Sequence, residues 1–432
     1  MYQVQIITIG HELLRGEIVN TNAAYIAHEL RKYGITVSSM STFPDERDAA
    51  AQLLRLVLPD RGIVICTGGL GGTRDDVTRF IFSSVLNRKL VLDREGEEHL
   101  RRWYTSRNRV FEDPDRMQAS HPEGGILLPN AVGLAFGFYI RDGERQIFAL
   151  PGVPAEMKRM LHTSVLPCIE AEKHRDVEKS RTFAYETLTF IDISEYSLDR
   201  IVQGIVDRYG GVEYGTRASD GIVRVRLETS EGEMGACIRE ITTHPVLQGH
   251  YLCTGEKKLE EVVGELLKER GYTLSVAESC SGGLLAKLIT DIPGSSAYFI
   301  GGVVSYSNEA KTALLGVSEK TLQRFGAVSE ETAREMARGA LQRFSSDMAV
   351  AITGVAGPGG GSQEKPVGTV FLCLAARDGS VRVEMNQHLG DRQTVRVRSA
   401  NKALSMLFSH MNRIRKNIEE RDRRQTQMGD ES

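Results

Sequence analysis

Within the first 73 residues, short β-branched runs alternate with helical patterns and end in a glycine-rich loop, an order that few folds accommodate. Val4, Ile6, Ile7 and Ile9 read as a strand. Asn20-Thr-Asn22 then caps a helix whose apolar positions Ala23, Ile26, Ala27 and Leu30 recur at helical spacing until Gly34 stops it. Ile35-Thr-Val-Ser opens a second strand, Ala49–Val57 a second helix, and Gly62-Ile-Val-Ile-Cys66 a third strand. This β-α-β-α-β alternation predicts a parallel sheet with helices on both faces. Ligands bind outside the carboxyl ends of such strands, which is where Thr67-Gly-Gly-Leu-Gly-Gly-Thr73 falls.

A chain of 432 residues exceeds what one hydrophobic core serves, so several domains are expected. The α/β alternation runs through residues 1–170, past Leu150-Pro-Gly-Val-Pro154 and a helix from Ala155 to Val165. Residues 171–255 follow a different pattern, in which alternating strands over Phe183–Phe190 and Gly221–Thr229 flank one helix, Ser194–Arg208, giving a small α+β connector. From Lys257 an amphipathic helix ending at Arg270-Gly271 opens a third region, again α/β, over 256–415, and 416–432 is a polar tail, disordered or a solvated helix end. The expected fold class is therefore α/β, two three-layer α/β domains joined by the connector. A net charge of -3 offers no general attraction to nucleic acid or anionic lipid. No apolar run reaches bilayer length and the first residues lack a secretory pattern, so a cytoplasmic protein acting on small-molecule nucleotides, away from membranes and nucleic acid, is expected. A homodimer is expected as well. The six cysteines lie scattered with no Cys-x-x-Cys pair, which argues against zinc or a disulfide framework.

Three segments of the third region carry chemistry. Ser275-Val-Ala-Glu-Ser-Cys-Ser-Gly-Gly283 sets hydroxyls and a thiol against paired glycines after a strand; Ser305-Tyr-Ser-Asn-Glu-Ala-Lys311 adds a tyrosine and a lysine; Thr353–Thr369 adds a loop of exposed amides. A serine becomes a nucleophile when a base takes its proton and donors receive the oxyanion. No histidine lies between His250 and His388, so the candidate base is Lys311, at the start of a helix pattern, its pKa lowered by partial burial. Tyr306 would orient it or relay a proton. Ser279 is the preferred nucleophile. Cys280 is its rival, because a thiol at a helix N-terminus ionises more easily. The amides of Cys280 to Gly283 would hold an oxyanion or a phosphate.

Ala277–Gly283, Gly302–Lys311, Gly326-Ala-Val-Ser-Glu330, Gly354-Val-Ala-Gly-Pro358, Lys365-Pro-Val-Gly-Thr369 and Gly390-Asp-Arg392 resemble the CinA C-terminal domain. That resemblance implies a nicotinamide mononucleotide amidohydrolase, releasing ammonia and nicotinate mononucleotide without a cofactor. It makes Ser279 the nucleophile, with Lys311 and Tyr306 assisting and Ser281, Gly282, Gly283, Gly354 and Gly357 near the phosphate. Ser281 stands where the family usually has threonine.

In the first region, Gly68, Gly69, Gly71 and Thr73 supply backbone amides suited to an anion, just ahead of Asp75 and Asp76. With Asp45, these carboxylates suit Mg²⁺ or another divalent cation bridging phosphates, though one of the adjacent pair is expected only to cap the following helix. Gly10–Asn22, Asn130-Ala-Val-Gly133 and Leu150–Met157 resemble the MogA and MoaB type of molybdopterin-binding domain found in the same full-length CinA proteins, some of which hydrolyse ADP-ribose with a divalent metal. Residues 171–255 resemble that family's KH-like middle domain, without the basic Gly-x-x-Gly loop of an RNA binder. His11, Gly72 and Phe136 depart from the threonine, proline and proline usual there. The alternatives are a non-catalytic molybdopterin- or nucleotide-binding N-terminal module and a competence-associated adaptor.

Overall fold

A computed structural model describes residues 4–173, 183–230 and 233–430, with side chains described to residue 414 except those of 172 and 173; the side chains of the expected polar tail lie outside the described residues. The chain divides into two compact units, Met1–Tyr185 with Thr229–Glu231, and Glu186–Glu228 with Gly232–Ser432.

The first unit carries a six-stranded sheet in the order Val37–Phe43, Val4–Ile9, Arg61–Thr67, Glu144–Leu150, Gly137–Asp142, Gly125–Leu128. The first four strands are parallel, as the alternation predicts, and the last two each pair antiparallel with their neighbour, so that Gly137–Asp142 runs opposite to the rest. Successive side chains leave a strand on opposite faces. Val4, Ile6, Ile63 and Ile65 therefore pack under the helix Thr21–Lys32 and beside Met157 and Met160. Ile7, Ile9, Val64 and Cys66 pack on the other face against Ala50, Ala51, Leu54, Ile81 and Phe82. The Asn20 side chain accepts from Ala23 N–H at 3.1 Å, capping the helix where the sequence places the cap. The helix after Pro154 does not end at Val165. It widens into a π-helical turn over Leu161–Val165 and continues as Leu166–Lys173.

In the second unit the connector forms a four-stranded sheet ordered Val212–Ser219, Ile222–Thr229, Ala184–Ile191, Tyr251–Thr254, covered by the helices Glu195–Val206 and Met234–Thr243. Val212–Ser219, Tyr251–Thr254 and Met234–Thr243 are not separately legible in the sequence. The connector is bound to the region that follows it: Asp192 accepts from Lys402 Nζ at 2.9 Å and from Ser405, and Ile191 and Leu252 join the neighbouring core.

That neighbouring region holds a five-stranded sheet ordered Phe299–Val304, Leu274–Glu278, Met348–Gly354, Thr369–Ala376, Val381–Gln387, with the first three parallel. One face is bulky (Leu274, Val276, Met348, Val350, Ile352) and meets the helices Leu259–Arg270 and Arg392–Asp430. The other face is lined by Ala277, Ala349 and Ala351, so the helix Glu330–Phe344 comes close with Ala333, Ala337 and Ala340. The backbone helix beginning at Arg392 continues to Asp430. Among the described residues, no helix is long and apolar enough to cross a membrane.

Close approach makes Gly339 a sensitive position, because a β-carbon there would lie 1.9 Å from Leu315 O. Alanine would gain about 1 kcal/mol of helix propensity, yet the overlap should outweigh it. Gly339→Ala is expected to destabilise the fold by about 1–3 kcal/mol in urea unfolding; an unchanged midpoint would show that the helix shifts without cost.

Candidate active site

The strand Leu274–Glu278 delivers Ser279 to the carboxyl edge of its sheet. Ser279 N–H donates to Ile352 O at 2.9 Å and Ser305 N–H to Glu278 O at 2.8 Å, so both neighbouring strands hold the turn. Glu278 is wholly buried, and its carboxylate accepts from Leu285 N–H at 3.1 Å and Ala286 N–H at 2.8 Å, the first turn of the helix Leu284–Thr290. A buried charge needs such donors, and here they fix the chain on both sides of the turn. Between them Gly282 and Gly283 adopt left-handed φ of 62° and 89°, which a side chain would resist.

Lys311 enters from the helix Asn308–Leu315, whose first turn is capped by Ser307 accepting from Ala310 N–H at 3.1 Å. Its side chain is 1 % exposed. Nζ lies 3.0 Å from Ser279 Oγ, 2.8 Å from Ser305 O and 3.4 Å from Tyr306 O. A carbonyl oxygen only accepts, so the two carbonyls fix two N–H bonds. As an ammonium, Nζ donates to Ser279 Oγ as well; a neutral amine giving its two N–H bonds to the carbonyls would keep its lone pair for the Ser279 hydroxyl. Burial holds the Lys311 pKa below the ordinary lysine value, the Cys280 sulfur opposing weakly, and so favours that neutral form.

Cys280 stands otherwise. It is 6 % exposed, and burial pushes its thiol up to about 11, so little thiolate forms near neutral pH. Tyr306 belongs to the site, but through its backbone: its carbonyl meets Lys311, while its phenol is exposed and accepts from Arg392 Nη2 at 3.1 Å. The phenol does not orient the lysine, correcting the role expected for it. The turn also spends one amide internally, since Gly282 N–H donates to Ser279 O at 3.1 Å.

Two arginines complete the site. Arg392 Nη1 donates to Gly357 O at 2.8 Å, tying the 353–369 loop to Tyr306, and Arg396 places Nε and Nη2 at 3.1 and 2.9 Å from Ser281 O. Their i, i+4 spacing puts both on one helix face, a signal present in the sequence beside Gly390-Asp-Arg392. Ser281 is fully buried and its hydroxyl has no hydrogen-bond partner among the described residues. Gly354 ends the strand beside that of Ser279.

In the first unit, the loop after Arg61–Thr67 is held from inside. Arg79, 2 % exposed, donates to Leu70 O at 2.7 Å and Gly71 O at 3.1 Å, and burial lowers its pKa to about 10. Thr78 Oγ1 donates to Gly68 O at 2.6 Å, and Thr78 N–H to Gly69 O at 3.0 Å. A β-carbon at Gly68 would fall 2.3 Å from Ile9 O. Asp76 Oδ2 accepts from Thr73 N–H and Oγ1 at 2.7 and 2.6 Å, so those two residues satisfy each other. Asp75 is exposed, and Asp45 pairs with His11 Nδ1. Asp45, Asp75 and Asp76 thus do not form the expected ligand set; among the described residues, no cluster of three or more His, Cys, Asp or Glu side chains could hold a metal ion. Of the departing residues, Phe136 packs with Leu100 and Ala119 and meets the His99 ring edge-on, and Gly72 lies against Gln118.

A family model of the CinA C-terminal domain matches residues 256–411, and one of a probable molybdopterin binding domain matches residues 5–171. A CinA-like protein of Geobacter sulfurreducens is 40% identical over 410 residues, covering 94% of this chain and 98% of that one. The chain belongs to the CinA-like family. A putative competence-damage inducible protein of Symbiobacterium thermophilum is 40% identical over 422 residues, with 94% of this chain and 98% of that one covered. Among solved structures, the competence/damage inducible protein CihA from Agrobacterium tumefaciens is 46% identical, covering 36% of this chain and 93% of its own, at a TM-score of 0.35.

The CinA-like site predicts that Cys280 is a bystander. Cys280→Ala should keep at least about half of any Ser279-dependent activity, and the wild-type thiol should resist iodoacetamide at neutral pH while the protein is folded. Rapid alkylation with parallel loss of activity would restore the thiol as nucleophile.

Proposed function

We propose that the Ser279 site hydrolyses a carboxamide, and that its substrate is nicotinamide mononucleotide. The observation that carries this reading is Lys311 Nζ, 3.0 Å from Ser279 Oγ and pinned by two carbonyls. The substrate follows from the family resemblance, with Arg392 and Arg396 adding positive charge suited to a phosphate.

Neutral Lys311 takes the Ser279 proton as Oγ attacks the carboxamide carbon, giving a tetrahedral oxyanion. Lys311, now an ammonium, returns that proton to the leaving nitrogen; the C–N bond breaks and ammonia departs. An ester to Ser279 remains. Water then attacks the ester carbon while Lys311 accepts its proton, and collapse of the second tetrahedral species breaks the C–O bond to Ser279. The proton on Lys311 goes back to Oγ, and the product leaves as nicotinate mononucleotide. The overall change is amide plus water to carboxylic acid plus ammonia.

Ser279→Ala should reduce ammonia release from nicotinamide mononucleotide by at least about 10³-fold without altering the melting temperature by more than a few degrees. Lys311→Arg should be comparably inactive, because guanidinium keeps its proton. With a lysine whose pKa is lowered, the base form grows as pH rises, so kcat/KM should climb along an alkaline-going limb and level off below the ordinary lysine value of about 10.4. A flat profile, or an active Lys311→Arg, would leave Lys311 as a source of charge alone.

For the N-terminal unit we infer a nucleotide- or molybdopterin-type binding module in place of a metal-dependent ADP-ribose hydrolase. The favouring observation is that Asp76 is engaged by Thr73 and Asp45 by His11. AMP formation from ADP-ribose with added Mg²⁺ should not exceed that in EDTA; a metal-dependent rate abolished by Asp76→Asn would reverse this reading.

A further inference from the structure

A cleft of about 650 Å³ opens within the second unit, between the edge strand Tyr251–Thr254 of the connector and the helices Leu259–Arg270 and Arg392–Asp430. It shares no residue with the Ser279 site. Along the helix, 13 residues separate Ser409 in the cleft from Arg396 at the site, roughly 20 Å at about 1.5 Å per residue. Its size falls within the roughly 300–1,000 Å³ of small-molecule pockets.

The lining is chemically divided. Leu252, Val262 and Phe408, each 8 % exposed or less, form an apolar floor. Lys257, Glu265 and Arg413 supply the charge. Lys257 Nζ sits 2.7 and 2.8 Å from the two Glu265 oxygens, so that pair is neutral as a unit. Arg413 donates to His410 Nδ1 at 3.1 Å. That imidazole is buried, with its pKa lowered by burial, and accepts while neutral. Arg413 is thus the one cation of the lining without a carboxylate partner in the lining; Asp378, outside it, lies within electrostatic range of the guanidinium. Ser409 and Asn412 add hydrogen-bonding groups on the same wall. We propose that this cleft is a second small-molecule site, which takes an apolar body bearing one negative charge. The apolar floor would cover the body and the Arg413 guanidinium would meet the anionic group.

Anilinonaphthalene sulfonate has this chemistry and reports burial by its fluorescence. The full-length wild type should bind one saturable equivalent. Arg413→Glu, at an exposed position, should weaken binding about tenfold or more, whereas Arg413→Lys should retain most of it. Ser409→Trp should fill the cleft and abolish binding, with the melting temperature checked for both variants; if Ser409→Trp unfolds, Arg413→Glu decides alone. Excess nicotinamide mononucleotide should not displace the dye, and Ser279→Ala should bind it normally, which separates this inference from the reading of the Ser279 site. Absence of saturable binding, equal affinity in Arg413→Glu, or displacement by nicotinamide mononucleotide would overturn the proposal.

Discussion

The second unit is organised around the contact between Lys311 Nζ and Ser279 Oγ. A lysine 1 % exposed is costly as an ammonium, since burial removes its hydration and the neighbouring carbonyls replace only part of it. The fold tolerates the residue by lowering its pKa. Between that lowered value and about 10.4, the unfolded chain binds the proton and the folded chain does not, so stability rises with pH across this window. Below the lowered value the full cost is present. Lys311 thus works against the fold at neutral pH, and the surrounding elements must offset it: the Ser307 cap on its helix, the strand bonds at Ser279 and Ser305, and the bulky core face behind them.

The two α/β sheets solve the same geometric problem with different outcomes. Each ends a central parallel strand in a glycine-bearing turn. In the second unit the turn is held from behind by the Glu278 carboxylate and from the side by Arg396, leaving Ser279 facing Lys311. In the first unit a buried arginine and two threonines take up the loop's own carbonyls and donors, Asp76 accepting from Thr73. A glycine-rich sequence thereby yields a loop held from inside, with Asp76 engaged through Oδ2 and Asp75 left exposed.

Much of this is legible in the sequence, because hydrophobic period and capping residues act locally. The Asn20 cap, the glycine ending the helix at Arg270 and the alternation of Val4–Ile9 all appear where the pattern puts them. Ser279 and Lys311 are legible as a candidate pair since the absence of nearby histidine leaves lysine as the candidate base. What escapes are contacts made by backbone atoms, which carry no residue signature: Tyr306 meets Lys311 through its carbonyl, and Arg79 is buried because the carbonyls of Leu70 and Gly71 need a donor that spacing does not reveal. The Thr73 and Asp76 pair follows an i, i+3 pattern that local hydrogen bonding explains more simply than metal binding. The strands Gly125–Leu128 and Gly137–Asp142 instead join the parallel set as a local antiparallel meander into Glu144–Leu150, turning at Gly143, which the β-α-β alternation of the first residues does not announce.

The proposed mechanism requires Lys311 to be a neutral amine when Ser279 attacks the carboxamide carbon. Its protonation is read most directly by a pH titration of isotope-labelled lysine side chains by NMR, with Lys311→Met identifying the resonance. One ε-carbon signal should titrate below the ordinary lysine range, at a pH that coincides with the rise in amide hydrolysis. A Lys311 signal titrating at about 10.4 or above, in a folded and active protein, would contradict the neutral-amine mechanism.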